Sequence, residues 1–105
     1  MEAKVVDSET ALKNLIQDLI EGCKSGDQKA QFKIYKLYNK TMYNLSMSIV
    51  NNGIDAEEII QESFLSAFEK IDTYSGAISF DDWLQRIVVN CSIDSLAGKR
   101  NLLIA

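Results

Sequence analysis

Apolar residues recur at steps of three and four along almost the whole chain, and no proline interrupts them. A period near 3.6 buries one face of a helix, and without proline long helices are permitted. No segment shows the period-two alternation of a half-buried strand. The pattern therefore predicts an all-α fold, a compact bundle of about four helices. At 105 residues the chain has the length of one domain, too short for a Rossmann or barrel enzyme of ordinary size.

The first ten residues read as a flexible lead-in. A first helix follows, with Leu12, Leu15, Ile16, Leu19, Ile20 and Cys23 on its apolar side, Ser8 or Thr10 as cap and Gly26 as stop. Asp27 is placed to cap a second helix over residues 28–51. Its expected stripe is Phe32, Tyr35, Tyr38, Met42, Leu45 and Ile49, widened by Ile34, Leu37 and Met47. Lys29, Lys33, Lys36 and Lys40 form another stripe on the same helix, either a solvated face or a contact for phosphate or an acidic partner. The Asn-Asn-Gly run at 51–53 signals a turn.

The third helix is expected to open with Asp55 at the cap, Glu58 closing a capping box, and Ile54 stapled to Ile59. Ala56, Ile60, Phe64, Ala67, Phe68 and Ile71 share its apolar side. Glu58, Glu62 and Glu69 share another, with Leu65 between them. Residues 72–79 are the longest irregular stretch. Ser79 then caps a fourth helix, with Asp82 three residues on and Ile78 stapled to Trp83. Its buried stripe is Phe80, Trp83, Leu84, Ile87, Val88, Cys91 and Leu96, and Gly98 is its expected stop. Lys99 and Arg100 then sit where a helix dipole favours cations.

Composition narrows the chemistry. There is no histidine, which removes the Ser-His-Asp triad, the Cys-His dyad and His-ligated metal sites. Glu57–Glu58 and Asp81–Asp82 are adjacent pairs in first helical turns, where the dipole stabilises carboxylates; neighbours on a helix do not face one another. No glycine-rich phosphate loop is present. No catalytic residue, metal or cofactor is therefore expected, and a small carboxylate enzyme is the weakest of the alternatives. Cys23 and Cys91 lack metal or redox spacing and read as reduced core thiols. No apolar run approaches membrane-spanning length and the first residues are too polar for a secretion signal, so a cytoplasmic protein with no membrane insertion is expected. The net charge is −4, with seven basic and six acidic residues in 1–52 but four and nine in 53–105. What remains is surface recognition, by the acidic third helix and by the loop that carries Tyr74.

Three blocks occur in order: LIEGCKSGDQKAQFKIYKLY, DAEEIIQESFLSAFEKIDTY and SFDDWLQRIVVNCSIDSL. Across roughly residues 16–100 the chain resembles region 2 of the extracytoplasmic-function (ECF) sigma factors, members of the sigma-70 family of bacterial transcription initiation factors. Asp55, Ala56, Glu58, Gln61, Glu62 and Phe64 carry the most specific part. Trp83, Leu84, Arg86, Ile87, Asn90 and Asp94 carry the second. The resemblance implies that Asp55, Glu58, Gln61 and Glu62 bind the β′ clamp helices of the RNA polymerase core. It implies that the 72–79 loop and the fourth helix recognise and help melt the promoter −10 element, holding a base extruded from the non-template strand. Tyr74, Ser75, Gly76, Asn90, Lys99 and Arg100 are the expected DNA contacts. An anti-sigma factor that covers these surfaces is a further partner the family implies.

Two departures stand out. Family members often carry basic residues around the start and after the end of the last helix. Here Asp81 and Asp82 take the first place, and only Lys99 and Arg100 follow Gly98. Few cations mean little counterion release and weak intrinsic DNA affinity. The family's second domain, region 4, has no counterpart, so the region 2 domain is placed at 11–100 and residues 101–105 read as the start of a linker to an absent region 4. A sigma-like helical interaction module without promoter-reading activity is the alternative.

Overall fold

The computed structural model describes residues 7–104, and the side chains of residues 7–99. Four helices follow one another: α1 (Ser8–Lys24), α2 (Gln28–Val50), α3 (Gly53–Glu69) and α4 (Phe80–Ile104). A single 3-10 turn, Ile71–Thr73, lies between α3 and α4. Among the described residues there is no strand. α2 is central and packs against α1, α3 and α4, while α3 also packs against α4.

Each helix begins where a short polar side chain can accept from an otherwise unpaired backbone N–H. Two caps fall as the sequence predicts. Asp27 accepts from the Lys29 N–H at 2.9 Å, and Ser79 Oγ accepts from the Asp82 N–H at 3.1 Å. Two fall one to three residues earlier than expected. Asp7, not Ser8 or Thr10, caps α1 by accepting from the Thr10 N–H at 2.7 Å, a bond that holds the Asp7 carboxyl below its ordinary value. Asn52, not Asp55, caps α3 by accepting from the Asp55 N–H at 3.0 Å. Asn51 explains the shift: it ends α2 in the left-handed region, at φ 56°, so its neighbour already points into the next helix. The expected Ile54 staple is absent, and Ile54 is 73% exposed.

The core draws on all four helices. Its α2 contribution is a line at every fourth residue: Ala30, Ile34, Tyr38, Met42, Ser46 and Val50. Phe32 and Leu37, expected in the stripe, are exposed, because this line leans away from the most hydrophobic side chains. Small residues in the line let neighbours approach. A Cβ on Gly22 of α1 would meet the Ala30 Cβ at 2.7 Å. Ser46 and Ser92 are fully buried and hydrogen-bonded at 3.0 Å across α2 and α4. The single Ser92 proton goes to the Val88 carbonyl at 2.8 Å, so Ser46 donates to Ser92.

Other expectations need correction at the edges. Leu12, Leu15 and Leu96 are exposed, and Cys91 is half-buried beside a smaller cluster of Val50, Ala56 and Ile59. Both cysteines are free, and only Cys23 is buried. α4 passes through Gly98 to Ile104. Gly98 does not stop the helix, because a glycine ends one by turning left-handed, and Gly26 and Gly76 are the glycines that do so among the described residues. Of the ten-residue lead-in, positions 8–10 are helical and 1–6 lie outside the described residues.

Candidate functional site

α3 buries Ala56, Ile59, Ile60, Ser63, Phe64 and Ala67, which turns Glu58, Gln61, Glu62, Leu65 and Glu69 outward. All five are exposed. Leu65 is 65% exposed at the middle of this polar face. A shallow groove of about 270 Å³ runs between α3 and α4, lined by Glu58, Ile59, Glu62, Cys91, Asp94 and Ser95. Three carboxylates from two helices thus surround one apolar floor, an arrangement suited to the head and stem of a basic side chain. Sequence reasoning placed Glu58, Gln61 and Glu62 together and the structure does the same. That reasoning set Leu65 between the glutamates on this face, as found, without counting it a binding residue, and it missed Asp94. Leu65 was visible as an apolar residue spaced with glutamates rather than with the core; Asp94 joins only through the packing of α4.

Asp55 stands apart from the other three. Its carboxylate is mostly covered and pairs with the Lys99 ammonium, joining the first turn of α3 to the far part of α4. This is the one ion pair among the described residues. Two residues expected on different surfaces, Asp55 for polymerase and Lys99 for DNA, therefore hold each other. The side chain of Arg100 lies outside the described residues.

The loop before α4 is tied at both ends. Tyr74 is 9% exposed, with ring centroids 5.6 Å from Phe80 and 5.3 Å from Trp83. Its hydroxyl donates to the Ile78 carbonyl at 2.7 Å, and Lys24 of α1 donates to the Tyr74 carbonyl at 3.0 Å. Burial and then the Asp81 charge push the Tyr74 hydroxyl up. Phe80 is buried and Trp83 packs against the same core. Ser75, Gly76 and Ala77 project to solvent, with Gly76 at φ 85°, a turn that favours glycine. Behind them, a cavity of about 580 Å³ opens between α1 and the loop, lined among others by Leu12, Ile16, Ile20, Ala77, Ile78 and Phe80. Two anchors and a hollow beside a three-residue tip can seat a planar group, while the Tyr74 ring itself packs against Phe80 and Trp83.

Asn90 is exposed on α4 and lines a shallow depression with Asp82, Gln85, Arg86 and Val89. Arg86, one turn before it, is the cation beside this position. The (i, i+4) spacing of Arg86 and Asn90 was legible, but the candidate DNA contacts did not use it. Lys99 lies nine residues further along α4, about 13 Å away at 1.5 Å per residue, so the expected DNA residues do not converge. Among the described residues no Cys, Asp or Glu cluster is arranged to hold a metal ion, and no helix is long and apolar enough to cross a membrane.

Comparison with known proteins adds an independent line. The family model for sigma-70 region 2 matches residues 34–101. The ECF RNA polymerase sigma factor SigW of Bacillus subtilis is 35% identical over 86 residues, covering 82% of this chain and 46% of the relative. The ECF RNA polymerase sigma-E factors of Salmonella typhimurium and Escherichia coli K12 are 34% and 32% identical over 83 residues, covering 79% of this chain and 43% of each relative. The chain thus spans less than half the length of these relatives. Among solved structures, an engineered region 2 of sigmaE, determined by NMR in complex with GTAAAA, superposes with a TM-score of 0.78 at 27% identity, covering 98% of both chains. Fold and sequence agree: this chain belongs to the sigma-70 region 2 family and is of the ECF type.

Proposed function

We propose that this domain joins RNA polymerase to promoter DNA at transcription initiation. The outward face of α3 docks on the β′ clamp helices of the polymerase core, and the 75–77 tip with the first turns of α4 recognises and helps melt the −10 element. The observation that carries the reading is the α3 face itself, where Glu58, Gln61 and Glu62 are exposed around the exposed Leu65. Solvated carboxylates ringed about one uncovered leucine have the anatomy of a docking surface, with an apolar anchor inside a polar rim. The sigmaE region 2 relative was determined in complex with GTAAAA, which supports a non-template strand as the ligand of the loop. The domain performs no covalent chemistry; binding energy drives strand opening, because an extruded base held in a pocket cannot return to the stack. Such a domain works in the cytoplasm, and an anti-sigma factor would act by covering the same faces.

The test is binding to isolated β′ clamp helices. Glu58→Lys/Glu62→Lys reverses two exposed charges and should weaken binding at least about tenfold, with helical circular dichroism retained. Equal binding by the variant, or no binding by the native chain, overturns the polymerase reading.

A second reading has its own support. Tyr74 is buried and Lys99 is held by Asp55, which withdraws two expected DNA contacts. That favours a sigma-like interaction module that docks on a protein without reading a promoter. In holoenzyme, preference for one −10 single strand over a scrambled one rejects this second reading; clamp binding without any preference rejects the first.

A further inference from the structure

α2 carries Lys29, Lys33, Lys36 and Lys40 and, over its 23 residues, no aspartate or glutamate, in a chain whose net charge is −4. The four lysines recur at steps of four, three and four, so they form one strip about 16 Å long on the side opposite the buried line of Ile34, Tyr38 and Met42. All four are exposed, and none forms an ion pair among the described residues. Folding does not account for them. Lys29 lies in the first turn of α2, where the helix dipole disfavours a cation, and like charges three and four residues apart repel. A face kept only for solubility would mix signs, as α1 and α4 do.

The same face holds an uncovered aromatic ring. Phe32 is 61% exposed, lies between Lys29 and Lys36, and has the Lys36 ammonium 5.8 Å from its ring centroid. A phenylalanine left in water among cations is poorly explained by stability, since burial would favour it by about as much as any core residue. Cations in line track a phosphate backbone, and an exposed ring stacks on an unpaired base.

We propose that the outer face of α2 is a second nucleic-acid contact, one that holds a single strand through its phosphates on Lys29, Lys33, Lys36 and Lys40 and stacks one base on Phe32. The contact is sequence-independent and lies apart from the 75–77 loop. A strand with unpaired bases suits it better than a duplex, whose stacked bases offer the ring no face.

The test uses the whole chain and labelled oligodeoxynucleotides: two unrelated single strands, their duplexes, and poly-glutamate as the polyanion without bases. The single strands should bind, with a salt dependence steepened by about 0.7 logarithmic units for each lysine engaged. Changing the four lysines to glutamine should remove most of that slope and weaken both sequences equally. Phe32→Ala should cost about 5- to 100-fold with the slope unchanged. All five side chains are exposed, so thermal melting should confirm that the variants fold. Wild-type binding by the glutamine variant overturns the proposal, as does duplex binding equal to that of single strands. Poly-glutamate bound as tightly as the single strands, and lost in the same variants, overturns it in favour of an acidic protein partner. Changes at residues 75–77 should instead alter preference between sequences, so this contact and the promoter reading can fail separately.

Discussion

Tyr38 shows how one side chain serves both packing and ionisation. Its ring sits in the core, 5.5 Å from Phe80 between centroids, while its hydroxyl donates to the Asp81 carboxylate at 2.6 Å. Burial, and then the Asp81 hydrogen bond and charge, push its ionisation well above the ordinary tyrosine value of 10. Tyr74 is raised in the same direction. Below pH 10 the folded and unfolded chains both keep these protons. Above it the unfolded chain releases them while the folded chain does not, so stability falls as pH rises. Urea midpoints followed from about pH 8 to pH 12 should decline on the alkaline side, and Tyr38→Phe should flatten that decline. An unchanged alkaline limb in the variant would show that Tyr38 ionises as freely in the folded chain as in the unfolded one.

At the scale of elements, close approach between α1 and α2 is set by Gly22 against Ala30. The obstacle to a larger residue is one rigid Cβ facing another, so the helices must separate to admit it. Gly22→Ala should destabilise the domain by about 1–2 kcal/mol in denaturant titration, since overpacking outweighs the roughly 1 kcal/mol that alanine gains in helix propensity. A stabilised variant would mean that α1 shifts freely. The helices themselves were legible because each signal is local: Asp27 and Ser79 are caps beside an amphipathic run. Asn52 was missed because Asp55 followed by Glu58 imitates a capping box, and only the backbone turn at Asn51 decides between the two. Phe32 was misplaced for a related reason. Hydrophobicity nominates it, but geometry prefers Ala30 and Ser46, whose small size lets neighbouring helices close in. Gly98 was misread because a glycine in sequence does not announce the sign of its φ.

For the molecule as a whole, what was legible divides by range. Glu58, Gln61 and Glu62 lie on one helix, and one period relates them. The Asp55–Lys99 pair spans 44 positions, and Asp94 joins the acidic groove only where α4 crosses α3; no spacing rule reaches that far. The same long-range ties govern the loop before α4. Its ends are fixed from three directions, by Lys24 of α1, by the Phe80 and Trp83 rings of α4, and by the bond from Tyr74 to Ile78. The tip at 75–77 is exposed and is held only by a bond within itself, from the Ala77 N–H to Ser75 Oγ at 3.3 Å. Ordering a residue costs about 1–2 kcal/mol of conformational entropy, and folding has already met that cost for the flanking positions. Tyr74→Phe, which removes one tie without touching a ligand, should speed amide exchange across the loop and shorten the residence of anything bound there. The loop is thus a preset jaw, whose grip is decided by how little freedom remains for a ligand to take away.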